Sequence, residues 1–84
     1  DMSDDQIIDD FRERASTIYH PSCTCRMGND PKTSVVDGHL LVHGIRGLRV
    51  VDASIFPNLT SANTNSPTIM VAHKASDIII SKYQ

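Results

Sequence analysis

Eighty-four residues with two Phe, two Tyr and no Trp offer little material for a core. A chain of that length would bury only roughly 60% of the surface its unfolded state exposes, which limits it to one small, marginal unit. A formal charge of −2, with eight basic residues that do not cluster, excludes a nucleic-acid footprint, and no run of about 18 apolar residues offers a membrane span.

In chain order, Ser3 to about Thr17 reads as a short amphipathic helix. Ser3 and Gln6 form a capping box, and Asp4 and Asp5 fall in the first turn, where the dipole favours them. Ile7, Ile8, Phe11 and Ala15 make an apolar stripe for docking, while Asp9, Asp10, Arg12, Glu13 and Arg14 make a solvated face. Ile18-Tyr19-His20 reads as a short β-like stretch halted by Pro21. Ser22 to Ser34 is small, polar and turn-rich, with a reversal at Gly28-Asn29-Asp30-Pro31. Cys23 and Cys25 make a poor disulfide, because so tight a ring strains the bond, and at most half of a zinc site even with His20 nearby. Two reduced, partly buried thiols and no metal are expected.

Brief strands are predicted at Ser34–Asp37 and His39–His43, joined by an Asp37-Gly38 turn, with a further turn from Gly44 to Gly47. On a strand, His39 and His43 would share a face about 13 Å apart and could not chelate one ion. A third extended run, Leu48–Val51, ends in a lone carboxylate at Asp52. No bulky apolar residue occurs from Thr60 to Pro67, and Pro67 is predicted as the first residue of a helix capped by Asn65 or Ser66. A helix start there suits an anion or a developing negative charge, although many polar loops of this kind bind nothing. The helix, expected to about Ser81, is apolar over more than half its circumference, and such helices are normally sandwiched on several sides.

His20, between an aromatic and a proline, has its ring direction set by rigid chain, as a general base requires; a loop His bonded to backbone is the alternative. His73 reads as a packed or surface residue of the last helix.

Tyr19-His20-Pro21, Thr24-Cys25-Arg26-Met27-Gly28, Ser34-Val35-Val36-Asp37, Val42-His43-Gly44, Gly47 to Ser54, and Asn63-Thr64-Asn65-Ser66-Pro67-Thr68 follow one another in that order. This series closely resembles the C-terminal part of the glucose–methanol–choline (GMC) family of flavoprotein oxidoreductases, from about Thr17 onwards. The resemblance implies an α+β fragment, with short strands and loops between an N-terminal and a C-terminal helix, completing a larger FAD-binding α/β fold. Residues 1–17 would be a helix, 18–47 the substrate-side loop and strands, and 48–84 the return to the FAD-binding domain. By position, His20 resembles the His that accepts the alcohol proton while hydride passes to flavin N5, and Asn63 the second catalytic residue, which is His in some members and Asn in others. Asp52 and Ala53 resemble residues holding the ribityl–pyrophosphate region, and Thr64, Asn65 and Thr68 the segment meeting the pyrimidine end of the flavin. Family members often have Gly where Cys23 stands, so the backbone just beyond His20 is expected to differ.

No G-x-G-x-x-G turn is present in the 84 residues, so most of an FAD pocket would come from sequence outside them. The implied partners are the remainder of the FAD-binding enzyme and a small-molecule alcohol. The other reading is a non-catalytic module that docks through its apolar C-terminal helix.

Overall fold

The computed structural model describes residues 1–83. The first helix, α1, runs Asp4–Arg14 behind the expected capping box: the Ser3 side chain accepts from the Gln6 N–H, and the Gln6 side chain accepts from the Ser3 N–H at 2.8 Å. It ends three residues before the predicted limit. Ala15 turns extended at φ −66° and ψ 141°, and the Thr17 hydroxyl then takes the Tyr19 N–H at 3.0 Å. A side-chain acceptor there competes with the helical hydrogen bond. No residue of α1 is buried, and its stripe of Ile7, Ile8 and Phe11 stands open.

The middle of the chain pairs through isolated bridges rather than through the short strands predicted. Met27 bridges Val36 in parallel, Val36 bridges Val42 and Leu41 bridges Arg49 in antiparallel sense. The predicted β-like stretch at 18–20 is absent, because Tyr19 sits at φ 63°. Leu40 at φ 66° breaks the 39–43 run, and Gly44 and Gly47, at φ 80° and 76°, break the chain again. The Asp37-Gly38 turn is present, closed by the Leu40 N–H on the Asp37 carbonyl at 3.0 Å. His43 holds the preceding loop in place. Its Nε2 lies 3.0 Å from the Gly28 carbonyl, which can only accept, and 3.1 Å from the Ser34 hydroxyl, so Nε2 carries the proton.

A single 3₁₀ turn, α2, follows over Ala53–Ile55, and the long helix α3 covers Asn65–Tyr83. The long helix starts two residues before the predicted Pro67. Asn63 Oδ1 accepts from the Asn65 N–H at 2.9 Å, and the Thr64 carbonyl accepts from the Thr68 N–H at 3.0 Å. Asn65 and Ser66, expected as caps, are therefore already helical. Pro67 becomes the third helical residue, where its missing N–H still removes no intrahelical bond.

Val36, Leu40, Ile55, Phe56 and Ala75 form the core, with Val71 of α3 packed against it. The long helix thus meets the core along one line, Val71 and Ala75, while Ile69, Met70 and Ile80 remain more than half exposed. Extents of 64 × 28 × 16 Å and a radius of gyration of 17.6 Å exceed the value of about 12 Å expected for a compact domain of this length. Five buried residues are few to offset the ordering of the backbone. Expressed alone, the chain should show helical circular dichroism without a sharp thermal transition; a sharp monomeric melt would contradict this.

Asp37 is the best-defined polar anchor. Its Oδ1 accepts from the His39 N–H at 2.8 Å and the Leu41 N–H at 3.2 Å. Partial burial pushes its carboxyl upward. The two backbone donors, with the nearby His39 and His43, outweigh that and hold it below the ordinary carboxylate value. A lowered folded value means the carboxylate's stabilisation is present above the unfolded pKa and is lost as pH falls through the folded one. In the complete protein, Asp37→Ala should cost about 1–2 kcal/mol at neutral pH. Denaturant titrations should show that difference shrinking as the pH falls below about 4.

Candidate active site

His20 and Asn63, forty-three positions apart in sequence, line one open concavity of about 400 Å³. Its wall is completed by Thr17, Ile18, Pro21 and Ser22 from the first loop, and by Leu59, Thr60, Ala62 and Thr64 from the loop before α3. The long separation is bridged by backbone hydrogen bonding. The Cys23 N–H donates to the Ala53 carbonyl at 3.2 Å, Cys25 to Ser54 at 2.8 Å and Met27 to Ile55 at 2.9 Å. Alternate residues of the loop after His20 are thereby tied to three consecutive carbonyls of the 3₁₀ turn.

The loop is bent sharply around His20. Tyr19 and Cys23, at φ 63° and 73°, are two of the three non-glycine residues with positive φ among the described residues. Each such conformation costs on the order of 1–2 kcal/mol. Cys23 holds a left-handed conformation, which glycine adopts without strain. Both cysteines are free and half-buried; Cys23 Sγ lies 3.4 Å from the Ser22 hydroxyl. His20 is exposed and its ring has no hydrogen-bond partner among the described residues, leaving it open to the concavity.

Asn63 is polarised by its role at the helix start. A backbone N–H can only donate, so the oxygen of the amide is the atom engaged by Asn65, and the NH₂ group is the end left free. Asn63 therefore offers donors, and no second acceptor group, to a ligand in the concavity. Of the other residues the sequence singled out, only Thr64 lines the same space.

Asp52, Ala53, Asn65 and Thr68 lie instead at the two helix starts. Asp52 caps α2: its Oδ1 accepts from the Ser54 N–H at 2.8 Å and also from the Ser54 hydroxyl. The N–H groups of Ala53 and Ser66 find no acceptor among the described residues, so each start retains a free backbone donor. Such donors suit phosphate, ribityl or pyrimidine oxygens, and the residues present fit a flavin dinucleotide. No group of three His, Cys, Asp or Glu that could hold a metal ion occurs among the described residues, and none of their helices is long and apolar enough to cross a membrane. Thr17, Ser22, Leu59 and Thr60 were not marked by any sequence signal beyond their closeness to His20 and Asn63.

Comparison with known proteins identifies the family. The family described as GMC oxidoreductase matches residues 1–72. The chain is 62% identical over 80 residues to an alcohol dehydrogenase [acceptor] of Pseudomonas putida, covering 95% of the chain and 14% of that protein. It is 55% identical over 80 residues to an oxygen-dependent choline dehydrogenase of Pseudomonas savastanoi pv. phaseolicola, covering 94% and 14%. The crystal structure of pyridoxine 4-oxidase from Mesorbium loti superimposes with a TM-score of 0.71 at 42% identity, covering 83% of this chain and 14% of that one. The chain belongs to the GMC oxidoreductase family, a family of flavoproteins, and spans about 14% of the length of these relatives.

The double use of Asn63 has a structural signature. In the complete protein, Asn63→Ala should lower stability by about 1 kcal/mol through loss of the acceptor for Asn65, whereas Asn63→Asp should retain it, since a carboxylate at a helix start is favoured by the dipole. Thermal melts of the two variants compare them directly; an Asn63→Ala variant as stable as wild type would show that the amide does not stabilise α3.

Proposed function

We propose that this chain supplies the proton-accepting wall of an FAD-dependent alcohol oxidoreductase, completed by the remainder of a larger flavoenzyme. The single observation that carries the reading is the meeting of His20 and Asn63 in one concavity, beside a helix start with a free backbone donor. The names of the relatives, alcohol dehydrogenase, choline dehydrogenase and pyridoxine 4-oxidase, support an oxidoreductase acting on a CH–OH group.

In this mechanism His20 takes the hydroxyl proton of a primary or secondary alcohol on an unengaged ring nitrogen. The bound flavin supplies the hydride acceptor at N5. As the O–H bond breaks, negative charge grows on the alcohol oxygen, and the Asn63 NH₂ donates to that oxygen. The alcohol would thus give its proton to His20, and the hydride acceptor that the flavin supplies when bound would account for a carbonyl product. Asp52 and Ala53 would hold the ribityl–pyrophosphate region. Thr64, Asn65 and Thr68, with the Ser66 N–H, would meet the pyrimidine end, where the positive end of the α3 dipole favours added negative charge. Residues 18–47 would then be the substrate-side segment, and 48–84 the return to the cofactor domain.

In the complete enzyme, His20→Ala should slow flavin reduction by about 10²–10⁴-fold with FAD still bound. Stopped-flow absorbance of the flavin with excess alcohol measures this, and reduction at the wild-type rate would remove His20 from the mechanism. Asn63→Asp should also slow reduction, by about 10²-fold, because it replaces a donor by a charged acceptor while leaving the helix start intact. An unchanged rate there would exclude the donor role.

A further inference from the structure

We infer that Cys23 is a positioning residue for His20, acting through its left-handed backbone and not through its thiol. The inference rests on the proposed role of His20 as base. Tyr19 and Cys23, at φ 63° and 73°, bracket the three residues His20, Pro21 and Ser22. Within the bracket, Pro21 fixes its own φ and confines His20 to extended conformations, so the torsions nearest His20 are already restricted. The backbone at the two ends then bears on how this segment is presented to the concavity.

The two ends are held differently. At Tyr19 the N–H is held by the Thr17 hydroxyl at 3.0 Å, and the ring is 80% exposed. At Cys23 the N–H donates to the Ala53 carbonyl at 3.2 Å, and the side chain packs against the core. Cys23 is therefore the anchored end, joining the His20 turn to the 3₁₀ turn at 53–55. A strained conformation persists where its surroundings over-determine it, and strain beside a reactive group is a sign of geometry held for that group. The thiol contributes one weak contact to Ser22, which itself lines the concavity.

Substitutions that separate backbone from side chain test this in the complete flavoenzyme. Cys23→Gly and Cys23→Val both remove the thiol, but only Val disfavours the left-handed region. Cys23→Gly should keep the wild-type rate of flavin reduction at saturating alcohol. Cys23→Val should slow reduction by about 10–100-fold with FAD content unchanged, the loss falling on the rate constant and not on KM. Where Cys23→Val does not fold, Tyr19→Gly against Tyr19→Val gives the same contrast at a side chain outside the core. Equal rates for Gly and Val at both positions would overturn the inference, as would a loss in Cys23→Gly that Cys23→Ser restores, which would assign the effect to the side chain. His20→Ala, measured in parallel, keeps the outcomes apart. If it reduces flavin normally, the proposed base is wrong; if it is slow while the Gly and Val variants match, only the positioning role fails.

Discussion

Three backbone hydrogen bonds, from Cys23, Cys25 and Met27 to the carbonyls of Ala53, Ser54 and Ile55, hold this structure in register. They join the loop that carries His20 to the turn that opens with Asp52, and Ile55 and Phe56 of that turn enter the core. From there the chain runs through the polar loop to Asn63 and α3. Without this ladder, His20 and Asn63 would sit on separate flexible segments with no shared wall. Backbone pairing is suited to the task, since an exposed side-chain contact is worth little in water whereas partly buried amides need partners.

The same ladder is not the start of a regular sheet. Its donors come from alternate residues of an extended loop and its acceptors from consecutive residues of a 3₁₀ turn, so it cannot propagate as a strand pair. Around it, Val36 is fully buried although it takes part only in isolated bridges. The core is held by turns packed on one line of α3. Apolar surface is left over: Ile7, Ile8 and Phe11 on α1 and Ile69, Met70 and Ile80 on α3 are 46–70% exposed, against five buried core residues. That imbalance agrees with a chain spanning about 14% of the length of its relatives.

The features legible in the sequence were those fixed by local chemistry. Ser3 and Gln6 announced α1, Asp37-Gly38 announced its turn, and the polar run before Pro67 announced α3 to within two residues. The left-handed backbones at Tyr19, Cys23 and Leu40 were not legible, because none of these side chains favours positive φ and only their surroundings impose it. That is why the stretch at 18–20 and the run at 39–43 read as strands. His20 was marked by the rigid chain around it as well as by family resemblance, Asn63 by the resemblance alone, and no spacing rule brings residues 20 and 63 together. Their shared wall depends on the ladder at 53–55, a long-range pairing without a periodic signature.

The hydrogen bond from the Asn65 N–H to Asn63 Oδ1 also bears on which residues are interchangeable at position 63. Asparagine places an acceptor two bonds beyond Cβ and a donor on the opposite branch. Histidine in its Nε2–H tautomer does the same: Nδ1 lies two bonds beyond Cβ, and a donor projects from the far side of the ring. The two side chains thus share one bonding pattern at a helix start. Glutamine, chemically nearer to asparagine, moves the acceptor one bond outward and loses the reach to the backbone. What the helix start asks of position 63 is an acceptor at that reach from the backbone, whatever the acid–base character of the side chain.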